Sequence, residues 1–155
     1  MRMMHFLCLG LALTAGACVA GACDASAREY VKGERPQIRA YSPAVVTEGG
    51  KIVWVAGQTA GTDENGQSLG DDFDAQARRV FKLLEATLAK AGGKLSDMVQ
   101  MTVFITDVRY GTRLTEIRKE VFGDNFPGSA LITVTALADP RAKLEIQGFA
   151  VIGDK

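Results

Sequence analysis

Histidine and cysteine, the side chains that most often supply bases, nucleophiles and metal ligands, are confined to the start of this chain. The only histidine is His5, and the three cysteines are Cys8, Cys18 and Cys23. Removal of the first 27 residues leaves a domain with no imidazole and no thiol. This composition excludes disulfide bonds, zinc sites of cysteine and histidine, serine–histidine–aspartate triads and cysteine–histidine dyads.

Serine, arginine and glutamate remain as candidate functional side chains. Ser129 has no base to activate it as a nucleophile. Arg109, Arg113 and Arg118 lie on one predicted helix, where a solvent-exposed charged face is the commoner interpretation; a guanidinium that holds a ligand is the alternative. Glu145, on the last predicted strand, is a candidate acid. These residues identify no catalytic residue with certainty, and they predict neither a metal site nor a cofactor.

The N-terminal segment has the organisation of a secretory signal. One positive charge, Arg2, precedes an uncharged apolar stretch from Phe6 to Ala22, and small residues with Ala-x-Ala spacing follow. We predict a signal peptide over residues 1–27, cleaved after Ala22 or Ala27, and a domain from residue 28 to residue 155. The predicted location is the periplasm or the outside of the cell.

A lipid anchor is the alternative to a soluble exported protein. Cys18 and Cys23 each follow Ala-Gly-Ala, which loosely resembles a lipoprotein signal. Such signals normally carry leucine three residues before the cysteine, where this chain has alanine. We therefore predict contact with a membrane only if one of these cysteines is lipidated.

The charge of the chain is balanced, with 18 basic and 18 acidic residues. Proteins that bind nucleic acid neutralise phosphates with a clustered basic face, and the sequence shows no such cluster. We predict no nucleic-acid partner.

The hydrophobic pattern predicts one α+β domain. Helices are expected at 73–91 and 111–122, and strands at 38–41, 45–47, 52–56, 98–105, 130–137 and 144–152. The order β-β-β-α-β-α-β-β predicts a mixed sheet with both helices on one face. The other face is apolar, and so short a chain has no further element to cover it. Self-association would cover it.

Several short motifs, in this order and spacing, resemble the RidA/YjgF family of reactive-intermediate deaminases. They extend across nearly all of the predicted domain: Ala40–Val45, Val55–Gln58, Gln76, Ala91–Gly92, Thr102–Asp107, Asn125–Pro127 and Lys143–Val151. The resemblance implies a chorismate-mutase-like fold and a homotrimer that binds small molecules in clefts between subunits. It also implies hydrolysis of enamines and 2-imino acids without a cofactor, although some members bind metabolites or proteins without turnover.

The resemblance assigns five residues to the substrate pocket, namely Tyr41, Gly57, Gln58, Ser129 and Gln147. Two of them depart from the family pattern. Ser129 stands where family enzymes carry the arginine that holds the substrate carboxylate, and Gln147 stands where they carry the glutamate thought to orient water. Both charges of that pocket are therefore absent from these two positions.

A hairpin between the last two predicted strands, turning near residue 138, would place Ser129 opposite Gln147. Paired loss of both charges would then avoid an unpartnered charge in the cleft. This arrangement predicts a pocket that prefers a neutral ligand and acts weakly on 2-imino acids. Three functions remain open: an imine or enamine deaminase, a small-molecule-binding trimer without turnover, and a protein-interaction module.

Overall fold

A computed structural model describes residues 28–154 of the chain. The predicted signal peptide, its cleavage sites and the cysteines of the alternative lipid anchor lie outside the described residues. Within residues 28–154, no helix is both long enough and apolar enough to cross a membrane.

The described part of the chain folds into a two-stranded ribbon and a four-stranded mixed sheet. The strands are β1 (Arg28–Val31), β2 (Ala44–Thr47), β3 (Lys51–Gln58), β4 (Met98–Ile105), β5 (Gly128–Thr133) and β6 (Leu144–Ile152). The helices are α1 (Glu34–Ile38), α2 (Phe73–Lys90) and α3 (Tyr110–Phe122). The strand order of the large sheet is β3-β6-β4-β5. Only the β4–β5 pair is parallel, because α3 provides the crossover between those two strands.

Helices α2 and α3 pack on one face of the sheet, as the hydrophobic pattern predicts. The apolar stripe of α2, including Leu84 and Leu88, is fully buried against inward-facing sheet residues such as Met101 and Ile146. Asp72 caps α2 by accepting a hydrogen bond from the backbone N–H of Ala75 at 3.0 Å. Alternation along the strands directs every second side chain into this core.

The opposite face of the sheet is open in the single chain and carries large apolar groups. Trp54 is 77% exposed, and its ring lies 5.2 Å from that of Phe149. Ile52 and Ile132 are also exposed. The uncovered apolar face expected from the sequence is present.

Two predictions about the strands are wrong, one about position and one about pairing. Residues 38–41 do not form a strand; the first strand is β1, and the polar segment after it forms the short helix α1, whose first turn tolerates Pro36. The last two strands do not form a hairpin, because β4 inserts between β5 and β6. Local alternation marks a segment as a strand, but it does not say which strand will pair with it.

Candidate functional site

The sheet register separates Ser129 from Gln147 and overturns the opposed pair expected from the sequence. Ser129 pairs with Met101 on one side of β4, and Gln147 pairs with Thr102 on the other side. Met101 is fully buried beneath the helices. Since paired residues share a face and consecutive residues alternate, Ser129 lies on the helix side and Gln147 on the open side of the sheet.

The hydroxyl of Ser129 contacts a guanidinium, which belongs to Arg118 on α3. Arg118 Nη1 donates a hydrogen bond to Ser129 Oγ at 2.8 Å, and Arg118 Nη2 donates to the backbone carbonyl of Arg39 at 2.9 Å. Arg118 is buried, with only 3% of its surface exposed. The hydroxyl of Ser129 is thus held by a buried arginine from another element of the fold.

A small cavity of about 150 Å³ opens beside this contact. Its walls are three arginines, two hydroxyl-bearing residues and one leucine: Arg35, Arg39, Arg118, Tyr41, Ser129 and Leu131. Two of the five predicted pocket residues, Tyr41 and Ser129, therefore lie together. The chain reaches this corner through Ala40, which holds a positive φ of 55° that non-glycine residues rarely adopt. Backbone strain of this kind is concentrated at binding and catalytic sites.

The other predicted residues lie elsewhere on the sheet. Gln147 lines a groove of about 430 Å³ on the open face, next to Trp54 and Phe149. Gln58, in the irregular part of β3, donates a hydrogen bond from Nε2 to Thr87 Oγ1 on α2 at 3.0 Å, so it supports the helix packing.

Gly57 lies beneath a carboxylate. A Cβ atom placed on Gly57 would lie only 2.8 Å from the carboxyl carbon of Glu145, so the glycine makes room for this side chain. Glu145, on β6, pairs with Phe104 of β4 and shares the open face with Gln147, as strand alternation predicts. Glu145 therefore lies against one of the predicted pocket residues, Gly57.

The sequence leaves the role of Arg118 undecided, because two further arginines lie near it in the chain: Arg109 at the N-terminal cap of α3 and Arg113 within α3. Arg113 is paired with Asp74 and Glu116, and Arg109 is paired with Asp107. Arg118 instead occupies the buried stripe of the helix, four residues after Leu114. A charged residue within an apolar stripe at i+4 spacing is the signal that distinguishes it.

Two other kinds of site, a metal centre and the wide cleft beside β1, are not favoured by the described residues. Within residues 28–154, no group of three or more His, Cys, Asp or Glu side chains is placed to hold a metal ion. A cleft of about 750 Å³ adjoins β1, but Arg28 and Asp154 on its wall are bound to each other. The cavity beside Arg118 is therefore the candidate binding site.

This fold defines a class of small α+β proteins in which two helices cover one face of a mixed sheet and the other face stays open. A solved structure of that class, the Rid protein YyfB from Yersinia pestis, covers 81% of this chain and 99% of its own, with a TM-score of 0.72 and 24% identity. The model of the family called Endoribonuclease L-PSP matches residues 32–152, and the chain belongs to this family.

Two relatives of higher identity are a RidA protein and a protein named DfrA. RidA from a Psychrobacter species is 33% identical, with a TM-score of 0.60 over 72% of this chain and 88% of that protein. Protein DfrA of Myxococcus xanthus is 36% identical over 72% of this chain and 84% of its own length. The resemblance drawn from the short motifs is confirmed, whereas the loss of an anion-binding arginine inferred from Ser129 is not shown.

Proposed function

We propose that this protein hydrolyses reactive imines and enamines, releasing ammonia and a carbonyl compound, in clefts between the subunits of a homotrimer. Membership of the family supports the proposal, but one observation carries it. Glu145 and Ser129, which carry complementary functional groups, lie at two separate places on one sheet. A second copy of the chain is needed to bring two such groups together.

The separation follows from the register. Glu145 is opposite Phe104 and Ser129 is opposite Met101, on two different neighbours of β4. Neighbouring strands lie about 4.8 Å apart and residues rise about 3.3 Å along a strand, so the two backbone positions are roughly 14 Å apart. A small imine cannot contact both groups of one chain. A neighbouring copy seated on the open apolar face can complete the cleft.

The chemistry needs little more than a water molecule and a proton carrier. Water adds to the carbon of the C=N bond, the nitrogen is protonated, and collapse of the adduct yields the C=O group and ammonia. A carboxylate can take the proton from water and return it to the departing nitrogen. Glu145 is the proposed proton carrier, standing in for the glutamate absent at Gln147.

Ammonia release from imines generated in solution by an amino acid oxidase tests the proposal. The protein should accelerate release above the uncatalysed rate, and Glu145→Gln should lower that acceleration by about 100-fold or more, as expected for loss of a general acid–base group. Glu85→Gln, an exposed carboxylate on α2, is the matched control and should leave the rate unchanged. Absence of acceleration with a series of imines would count against a deaminase.

A trimer that binds a small molecule without turnover is the second candidate. The observation that favours it is Gln147, an uncharged residue in the open-face groove between Trp54 and Phe149. A ligand that raises the melting temperature of the protein while no ammonia is released supports this function. If no small molecule shifts the melting temperature, a protein-interaction module remains.

A further inference from the structure

The guanidinium of Arg118 is buried and has no acidic partner. Among residues 28–154, no carboxylate forms an ion pair with it, and its Nε atom is buried without a hydrogen-bond partner. Its two hydrogen bonds go to a neutral hydroxyl and a neutral carbonyl. Burial, reinforced by the nearby positive charge of Arg39, lowers the pKa of Arg118 to about 10.

A buried charge without a partner is strongly destabilising, and folded proteins rarely tolerate one unless a ligand or counter-ion offsets it. Arg113 on the same helix and Arg109 at its N-terminal cap differ from Arg118, because aspartates neutralise both of them. The cavity beside Arg118 has three arginines and no acidic residue in its wall. An anion entering this cavity would remove the electrostatic penalty.

Ser129 extends the positive charge of Arg118 to the cavity. Its oxygen accepts the hydrogen bond from Arg118, so its own hydroxyl proton is left free to be donated to a ligand. A guanidinium has five N–H groups, and Arg118 uses two of them for the protein. Ser129, the Arg118 guanidinium and the Tyr41 hydroxyl can therefore converge on one small anion.

We propose that Arg118 and Ser129 form an anion site that holds the carboxylate group of a small ligand, with Arg39 and Tyr41 completing its wall. This inference deepens the proposed function by assigning the residues that would hold a carboxylate on the substrate, against the neutral ligand expected from the sequence. The role of this site in a reaction rests on the proposed function, whereas the binding of a carboxylate does not.

Calorimetric titration at low ionic strength provides the test, with pyruvate as a carboxylate probe and pyruvamide as its neutral match. The purified protein should bind pyruvate at least tenfold more tightly than pyruvamide. Arg118→Gln should weaken pyruvate binding by about 10- to 100-fold, the usual effect of losing a charge-assisted hydrogen-bonded pair. Arg109→Gln, which alters an exposed and already paired arginine at the N-terminal cap of the same helix, should leave both affinities unchanged.

Ser129→Ala keeps the test decisive if Arg118→Gln does not fold. It retains the guanidinium and removes only the hydroxyl, so pyruvate binding should weaken several-fold while pyruvamide binding stays the same. Pyruvate affinity should also decline as the pH rises through about 10, where the pKa of Arg118 lies, because the guanidinium loses its proton.

Equal affinities for pyruvate and pyruvamide, or unchanged pyruvate binding in both variants, would overturn the site. Inorganic phosphate displacing pyruvate at tenfold lower concentration would overturn the carboxylate assignment in favour of a tetrahedral anion. Pyruvate binding that depends on Arg118, found together with no ammonia release from any imine, would uphold the anion site while the proposed deaminase function fails.

Discussion

At the scale of single residues, two glycines on neighbouring strands make room for different kinds of neighbour. Gly57 on β3 faces the Glu145 side chain, whose far end can move. Gly148 on β6 faces backbone instead, and a Cβ atom there would lie 2.9 Å from the Cα atom of Met101. A flexible side chain can give way to an added methyl group, whereas the central strand of a sheet cannot.

Gly57→Ala and Gly148→Ala should therefore separate function from stability. We expect Gly148→Ala to lower the free energy of unfolding by about 2–3 kcal/mol, as overpacking against a rigid core does. Gly57→Ala should change it by less than about 1 kcal/mol, but it should lower imine turnover at least tenfold because Glu145 is pushed from its position. Urea unfolding and ammonia release measure the two effects. Unaltered turnover in Gly57→Ala would mean that Glu145 does not act from this position.

At the scale of elements, the side chain of Arg28 ties β1, the first strand of the described residues, to the main sheet. Strand β1 forms hydrogen-bonded pairs with β2 alone. The guanidinium of Arg28 donates to Asp154 at 2.7 and 2.9 Å and to the backbone carbonyls of Val151 and Ser96, both at 2.7 Å. The side chains of Arg28 and Asp154 are 11% and 7% exposed, so this is a largely buried ion pair.

Arg28→Ala should lower the free energy of unfolding by about 3 kcal/mol, because the Asp154 carboxylate is left buried and unpaired. The matched control is Arg109→Ala, an arginine at 86% side-chain exposure, for which we expect little change. Urea unfolding of both variants measures the difference. If Arg28→Ala proves as stable as the control, β1 is attached by contacts other than this ion pair. The predicted cleavage after Ala27 is compatible with the requirement for Arg28.

At the scale of the whole molecule, the open face of the sheet is not covered by any element of the described chain. Its exposed apolar side chains include Trp54, Ile52 and Ile132. Several large apolar side chains exposed on one face usually mark an interface. The proposed homotrimer would bury this face and complete the clefts between subunits.

Trp54→Glu should dissociate the trimer by placing a charge in the middle of the buried interface. Ala86→Glu, on the exposed side of α2, adds the same charge away from the open face and should leave the assembly intact. Light scattering should give three times the monomer mass for the wild type and Ala86→Glu, and a lower mass for Trp54→Glu. A wild-type protein that remains monomeric at micromolar concentration would refute the trimer.

Much of the fold is encoded in local pattern. The apolar stripe predicts a helix at 73–91 where α2 spans Phe73–Lys90, and the alternation at 98–105 coincides with β4. The order of short motifs identifies the family, and the positions of histidine and cysteine confine the chemistry available to residues 28–155. These features depend on neighbours along the chain or on composition, so the sequence alone determines them.

The candidate site depends on contacts that no local pattern reveals. Insertion of β4 between β5 and β6 places Ser129 and Gln147 on opposite faces of the sheet. Among the three arginines at the cap of α3 and along it, only the tertiary packing distinguishes the one that is buried, Arg118, from those paired with acids. Strand pairing and burial are settled by the free energy of the whole core. The sequence therefore determined which residues were available, and the tertiary structure decided which of them meet.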